Sequence, residues 1–419
     1  MKERLDKMEI YRRFLLPCTS LCDYYKEVMR VIQYIGVLLF FFLVSCEKND
    51  VEPQKTRTLM VYLAGDNNLS SAMQKNINDM MAAWKKSYNA NIVIYFDSHI
   101  AVPELFTFQF KGKNVEKQLL ETYEEMDSAD PEVLKKVLND MRDLYPSDSY
   151  GLILASHASG WLPPNIGRSR YLYQEPRLTR SFGDDRGNLM DTRDMAKAIP
   201  FNKENLDFIL FDACLMSSIE VLYDLREKAK YVIASPAELP VPGFPYEEVM
   251  PYFFLKTEQL EDGLKDVCDK FYEYYSDPNT KYPFGTIALI KMDGMERLFE
   301  LTQEVLQGKK NDLPNSIYYD EYVYSYPKVG YLRYYMFFDL GDYMRYMTKN
   351  REGLYETYRY FLDKQVVIHK KAINPFNGTE IPWEKFSGIA TYIPLDIWPE
   401  ETKAYSSFPW AGVYDAVTE

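Results

Sequence analysis

The sequence predicts an α/β fold: a sandwich with a mostly parallel central sheet flanked by helices, joined to a helical, aromatic-rich C-terminal part. Three observations point to it. Short apolar runs recur at 58–64 (TLMVYLA), 91–96 (NIVIYF), 150–155 (YGLILA), 207–211 (DFILF) and 230–234 (KYVIA). Their hydrophobicity is continuous rather than alternating, as expected of strands covered on both faces. Stretches of helical periodicity lie between them, and alternating strands and helices imply a doubly wound arrangement. Beyond about residue 250 the texture changes to amphipathic segments rich in Tyr and Phe.

Each element has its own signal. After the first strand, Met73, Ile77, Met80, Met81 and Trp84 fall on one helical face. Residues 104–110 alternate Phe106, Phe108 and Phe110 before Lys111-Gly112-Lys113, the pattern of a hairpin arm. Asp130-Pro131 supplies an N-cap and a first-turn proline for a helix carrying Leu134, Val137, Leu138, Met141 and Tyr145. These methionine and aromatic stripes belong to the core, not to a cofactor. Further helices are expected at 260–275, 295–306, 340–347 and 354–361, and one more strand at 387–394 (SGIATYIP). The expected domains are a catalytic region at 57–250 and a C-terminal helical region at 251–419 packed on it.

Composition limits the function. With 419 residues, 47% hydrophobic, the chain can bury one large or two medium cores. A net charge of -13 disfavours nucleic acid as a partner, because such binders carry a basic field. The acidic excess either keeps the chain soluble or favours cationic substrates.

At the N-terminus, the uncharged run VIQYIGVLLFFFLVS (31–45) follows Met29-Arg30. It is short for a membrane span and has the length of a signal-peptide core. Its end, Leu43-Val44-Ser45-Cys46, resembles a bacterial lipobox, whose cysteine is diacylated and becomes the first mature residue. Residues 1–45 are thus expected to be a signal segment, with Met1 or Met29 as start, and residues 46–56 a polar tether. A short membrane anchor with an incidental cysteine is the competing reading. On the first reading the chain is lipid-anchored in a bacterial cell envelope, at the outer membrane or surface rather than in the cytoplasm. Three cysteines then persist, Cys46, Cys214 and Cys268, so disulfides do not hold this fold together.

Two strand ends carry the unusual residues. The run at 150–155 leads into Ser156-His157-Ala158-Ser159-Gly160-Trp161, and that at 207–211 into Asp212-Ala213-Cys214-Leu215-Met216. Open α/β sheets bind ligands beyond the carboxyl ends of their strands, so His157 and Cys214 can meet if those strands are neighbours. A thiolate is a strong nucleophile, and a nearby imidazole or helix N-terminus lowers its pKa. If a helix begins at Cys214, its backbone N–H also faces a developing oxyanion. A buried structural cysteine and a hydrogen-bonded histidine are the alternatives.

The segments SHASGW and FDACLM, some fifty-five residues apart, resemble the clostripain family of cysteine peptidases, which have a caspase-like fold. Residues 63–69 (LAGDNNL), 338–342 (FDLGD) and 387–394 look like the same family, so the resemblance runs from 57 to about 395. It implies a cysteine endopeptidase with Cys214 as nucleophile and His157 as general acid. The oxyanion would be held by the backbone N–H groups of Cys214, Ala158 and Ser159. Relatives usually carry Gly where Ala158 stands, which puts that geometry in question. The resemblance also implies that Asp212 lines the P1 pocket and selects Arg or Lys; capping the following helix is the competing role. No cofactor is required for this chemistry. The family resemblance alone raises calcium, and Gly183-Asp184-Asp185-Arg186-Gly187-Asn188 lacks the full ligand ladder. The stretch at 162–186 carries Arg168, Arg170, Arg177, Arg180 and Arg186, candidate self-cleavage sites between histidine and cysteine.

Peptide or protein is then the substrate, and the membrane a partner only through the lipid. Two other functions compete: a catalytically idle relative that binds peptide or protein, and a glycan-binding lipoprotein using Trp161, Tyr171 and Tyr173.

Overall fold

The apolar runs pair side by side. The computed structural model describes residues 57–162, 181–309, 322–326, 336–349, 351–374, 376, 378–394 and 399–417. β1 (Arg57–Gly65) leads into helix α1 (Ser70–Ala83), then β2 (Asn91–Ser98), β3 (Ala101–Lys111) and β4 (Asn114–Thr122). Helix α2 (Pro131–Leu144) and β5 (Ser149–Ala155) follow. The small hairpin β6 (Phe182–Asp185) and β7 (Asn188–Met190) precedes α3 (Thr192–Ala198), β8 (Leu206–Asp212), α4 (Ile219–Asp224) and β9 (Tyr231–Ala234). Then come α5 (Thr257–Ser276), β10 (Gly285–Lys291), α6 (Met295–Leu306), β11 (Phe338–Asp339) and α7 (Leu340–Met347). The last elements are α8 (Glu352–Phe361), β12 (Val367–Ile373), β13 (Ala390–Thr391) and α9 (Pro399–Tyr405). Cys46, the segment before it, Tyr171, Tyr173, Arg168, Arg170, Arg177 and Arg180 lie outside the described residues.

The main sheet runs β12-β10-β9-β8-β5-β1-β2-β3-β4. Its centre, β2-β1-β5-β8-β9, is parallel throughout, and the antiparallel strands sit at the two edges. Side chains alternate across it, so each strand feeds two cores. Met60, Tyr62, Val93, Leu152 and Phe211 face one layer, with α2, α3, α4 and α6. Leu59, Val61, Ile92, Ile153 and Leu210 face the other, with α1 and α5. Cys268 is fully buried in that second layer, where burial pushes its thiol far up. Asp130 caps α2 as the sequence predicts, its Oδ1 accepting from the Glu132 N–H at 2.8 Å.

The C-terminal part differs from expectation. It adds two strands, β10 and β12, to the same sheet, which therefore crosses the boundary expected near residue 250. The strand expected at 387–394 shrinks to β13, paired with β11 outside the main sheet. Gly388 turns with φ 88, and the Ser387 N–H donates to Asp339 Oδ2 at 2.6 Å, so the run bends before it can extend. Among the described residues no helix is long and apolar enough to cross a membrane.

Candidate active site

Along the parallel strands the spatial order is 2-1-3-4-5 in chain order, which puts the topological switch point between β1 and β5. The loops that leave β1, β5 and β8 form the site. β5 and β8 are direct neighbours, with Ala155 opposite Asp212. His157 and Cys214 each stand two residues beyond that pair, so their loops leave adjacent strands, which lie about 5 Å apart within the sheet.

Cys214 is half-buried and makes no disulfide among the described residues. Its Sγ accepts from the Leu239 N–H at 3.3 Å and faces the Leu239 carbonyl at 4.0 Å. The helix expected to start at Cys214 begins instead at Ile219, so no helix N-terminus serves the sulfur. The intervening turn is held by Leu215, whose N–H donates to the Ala237 carbonyl at 2.9 Å. Leu215 has φ 63, a costly conformation for a branched side chain and one that clusters at functional sites.

His157 is anchored by a residue that the sequence reading passed over. Its Nε2 lies 2.6 Å from Asn68 Oδ1. An amide oxygen only accepts, so Nε2 carries the hydrogen and Nδ1 is the basic nitrogen. Asn68 belongs to the 63–69 segment leaving β1, and Asn67 stiffens that loop. The Asn67 Nδ2 donates to the Ala64 and Asp184 carbonyls at 3.0 and 2.7 Å, and its Oδ1 accepts from the Leu69 N–H at 2.8 Å. The legible signal was a polar Asp-Asn-Asn triplet ending a strand at the switch point. His99 and His369 pair elsewhere, with Asp66 and Asp269.

The oxyanion assignments divide. The Ser159 N–H donates to the Ser181 carbonyl at 3.0 Å as part of the Ala158–Phe182 bridge, so Ser159 is not available for this role. The left-handed non-glycine residues among those described are Asn89, Arg186 and Leu215, so Ala158 carries no such strain. Gly160 takes the turn instead, at φ 60, and a Cβ there would meet the Leu215 carbonyl at 2.7 Å. The histidine loop and the cysteine loop thus interlock.

Asp212 does not cap a helix. Its Oδ2 accepts from the Tyr246 hydroxyl at 2.9 Å and from the Phe244 N–H at 3.4 Å. Gly243, at φ 72, makes room: a Cβ there would stand 2.4 Å from Oδ2. Burial pushes the Asp212 carboxyl up to about 6, against the two hydrogen bonds. Among the described residues no Lys or Arg pairs with it.

Trp161 is fully buried, its ring 4.5 Å from that of Tyr392, so it is core and not a glycan contact. Arg186 sits in the β6–β7 turn at φ 49, its side chain paired with Asp66 and Glu125, a poor shape for a scissile bond, which proteases take extended. The acids of residues 183–188 make no calcium loop: Asp184 Oδ1 accepts from the Gly187 N–H, and Asp185 Oδ2 from the Ser128 N–H.

The sequence profile of the clostripain family matches residues 61–406. Clostripain of Hathewaya histolytica is 28% identical over 239 residues, 49% of this chain and 43% of that protein, so the match spans under half of that relative's length. An inactive zymogen C11 protease from Parabacteroides distasonis superposes with a TM-score of 0.71 at 30% identity, over 88% of this chain and 99% of the other. A secreted C11 cysteine protease from Bacteroides thetaiotaomicron, solved with an irreversible peptide inhibitor, gives 0.70 at 28% identity, over 86% and 99%.

Proposed function

Since the chain belongs to the clostripain family of cysteine peptidases, we propose that it is an endopeptidase cleaving after Arg or Lys by a Cys214/His157 dyad. The observation that carries this reading is the in-register pairing of β5 with β8, which brings the two residues out of the sheet together. The Cys214 sulfur attacks the scissile carbonyl carbon, and the carbonyl oxygen becomes an oxyanion facing the backbone N–H groups of Cys214 and Ala158. Imidazolium His157 gives its proton to the departing amine as the C–N bond breaks, leaving a thioester. Water then attacks the thioester carbon as His157 takes its proton, and the C–S bond breaks to release the carboxylic acid product and the Cys214 thiolate beside imidazolium His157. Asn68 Oδ1 holds the Nε2 side of the ring, so the transferred proton leaves and returns at Nδ1.

Asp212 supplies the specificity. It is a half-buried carboxylate with hydrogen bonds but no cation among the described residues, and a guanidinium or ammonium at P1 completes it. The family profile and the inhibitor-bound relative support peptide as the substrate class. We further infer export and lipid attachment at Cys46, on the 31–45 run and its lipobox-like end. Self-cleavage within 163–180 is a third part of this reading, at Arg168, Arg170, Arg177 or Arg180.

The test is labelling by a lysyl or arginyl halomethyl ketone. The wild type and Cys268→Ala should be labelled and active, and Cys214→Ala neither. Parallel incubations sequenced for new N-termini should show arginine cleavage in the wild type only. Full activity in Cys214→Ala would end the mechanism.

A further inference from the structure

The sheet opens at its switch point, between the carboxyl ends of β1 and β5, where a ligand would ordinarily enter. In this fold the chain spans that opening itself. The segment 181–186, which contains β6, is bonded to both sides of it. On the β5 side, the Gly183 N–H donates to the His157 carbonyl at 3.0 Å and the Ser159 N–H to the Ser181 carbonyl at 3.0 Å. On the β1 side, the Arg186 N–H donates to the Asp66 carbonyl at 3.3 Å.

One side chain joins all three. β1 and β5 pair as far as Leu63 opposite Ala155. The next rung, Ala64 with Ser156, is made by a hydroxyl. Ser156 directly precedes His157 and is 2% exposed. Its Oγ donates to the Ala64 carbonyl at 2.8 Å and accepts from the Asp184 N–H of β6 at 3.2 Å. A serine hydroxyl has one proton to give, and the Ala64 carbonyl takes it. The Asn67 amide spans the same gap from the other loop, donating to the Ala64 and Asp184 carbonyls. Directly above this frame Asn68 Oδ1 meets His157 Nε2 at 2.6 Å. Asn68 is exposed, so little packing holds it and the bonded frame beneath sets its place.

We propose that Ser156 is a positioning residue for His157: its hydroxyl locks β6 into the opening between β1 and β5 and thereby sets the Asn68–His157 contact. This rests on the Cys214/His157 reading above and deepens it. An oxygen accepting from Nε2 favours the imidazolium over the neutral ring, because a charged donor makes the stronger hydrogen bond. Misaligning Asn68 therefore makes the imidazolium more acidic. The form of His157 that protonates the departing amine is then lost at lower pH. A packing fault elsewhere in the core has no reason to move that limb of the pH profile.

The experiment compares wild type, Ser156→Ala, Asn68→Ala and the double variant on one arginyl fluorogenic peptide across pH, with Tm recorded for each. All are assayed in the same chain form, intact or cleaved, as judged by denaturing gel. Ser156→Ala should lower kcat about tenfold with KM within about twofold of wild type. It should also move the alkaline limb of kcat/KM toward lower pH, as should Asn68→Ala. The double variant should be within about twofold of Asn68→Ala alone, since the hydroxyl acts through that contact; independent effects would multiply. If Ser156→Ala does not fold, Asn67→Ala at a half-buried position carries the same test, with the same fall in kcat and the same shift of the limb. The proposal is overturned if Ser156→Ala keeps the wild-type kcat and pH profile, or if its effect multiplies with that of Asn68→Ala. Activity surviving in Cys214→Ala, run alongside, would instead sink the dyad and this inference with it.

Discussion

Strand β8 carries an aspartate near each end, and the fold treats the two in opposite ways. Asp207, at the amino end, is fully buried and clamped by two cations: Arg57 Nη2 at 2.6 Å and Lys230 Nζ at 2.7 Å. Arg57 in turn donates to the Phe253 and Leu255 carbonyls. Despite burial, which acts to raise it, Lys230 and Arg57 hold the Asp207 carboxyl below its ordinary range. Asp212, at the carboxyl end, has two neutral donors and no cation among the described residues, and burial raises it to about 6. The same side chain is thus a structural clamp at one end of the strand and an unfilled electrostatic demand at the other. A fold keeps the second kind where a ligand is to answer it.

The largest effect that sharpens this contrast is on stability. Asp207→Asn leaves Arg57 buried against a neutral amide and should cost about 3–5 kcal/mol, read as a drop in Tm and denaturant midpoint, with P1 preference unchanged. The pH dependence follows. A carboxylate held below its unfolded value contributes stability above about pH 4 and loses it as pH falls through the folded pKa. Wild-type stability should therefore fall more steeply in acid than that of Asp207→Asn.

Asp212→Asn should do the converse. It should reduce kcat/KM for Arg and Lys substrates by about 10²-fold, equivalent to about 2.7 kcal/mol, and leave neutral P1 substrates within a few-fold. Its folded pKa is raised, so native Asp212 weakens the fold as pH climbs from about 4 to about 6. Asp212→Asn should remove that decline and also the rise of basic-P1 preference through about pH 6. If Asp212→Asn loses stability as Asp207→Asn does, the contrast between the two ends fails.

Tyr246→Phe is the smallest and most diagnostic change. Tyr246 is a positioning residue: its hydroxyl opposes the effect of burial on Asp212. Without it, KM for basic substrates should rise up to about tenfold (about 1.4 kcal/mol) with kcat little changed, and the pH rise of kcat/KM should move alkaline. A KM shift with no movement of the pH profile would assign Tyr246 a merely structural role.

The parallel centre of the sheet was legible because strands buried on both faces cannot help being continuously apolar. The edges were not. β12 reads VIHKKAI, with His369, Lys370 and Lys371 half-exposed and paired with Asp269 and Asp363, so charge interrupts the apolar run just where an edge strand meets water. β10 offers only the four-residue apolar run at 287–290, and so short a run behind a long helix does not separate strand from helix. Cys214, His157 and Asp212 stood out because each ends a strand. Asn68, Gly243 and Tyr246 did not, since their work depends on contacts across the chain: Asn68 reaches His157 from eighty-nine residues away, and Tyr246 reaches Asp212 from thirty-four. Ser159 shows the reverse failure. Its place after His157 suggested an oxyanion donor, and only the pairing with Ser181 removes it.

On the proposed function, a thiol at Cys214 and a cation-seeking carboxylate at Asp212 act together as an endopeptidase site. The most direct measurement is hydrolysis of matched fluorogenic peptides with Arg, Lys, Asp, Asn or Leu at P1, by residues 47–419 of the wild type and of Cys214→Ala. Arg and Lys peptides should be cleaved at least about 100-fold faster than the others, and Cys214→Ala should cleave none. A preference for an acidic or large apolar P1, or cleavage that survives in Cys214→Ala, would contradict the account.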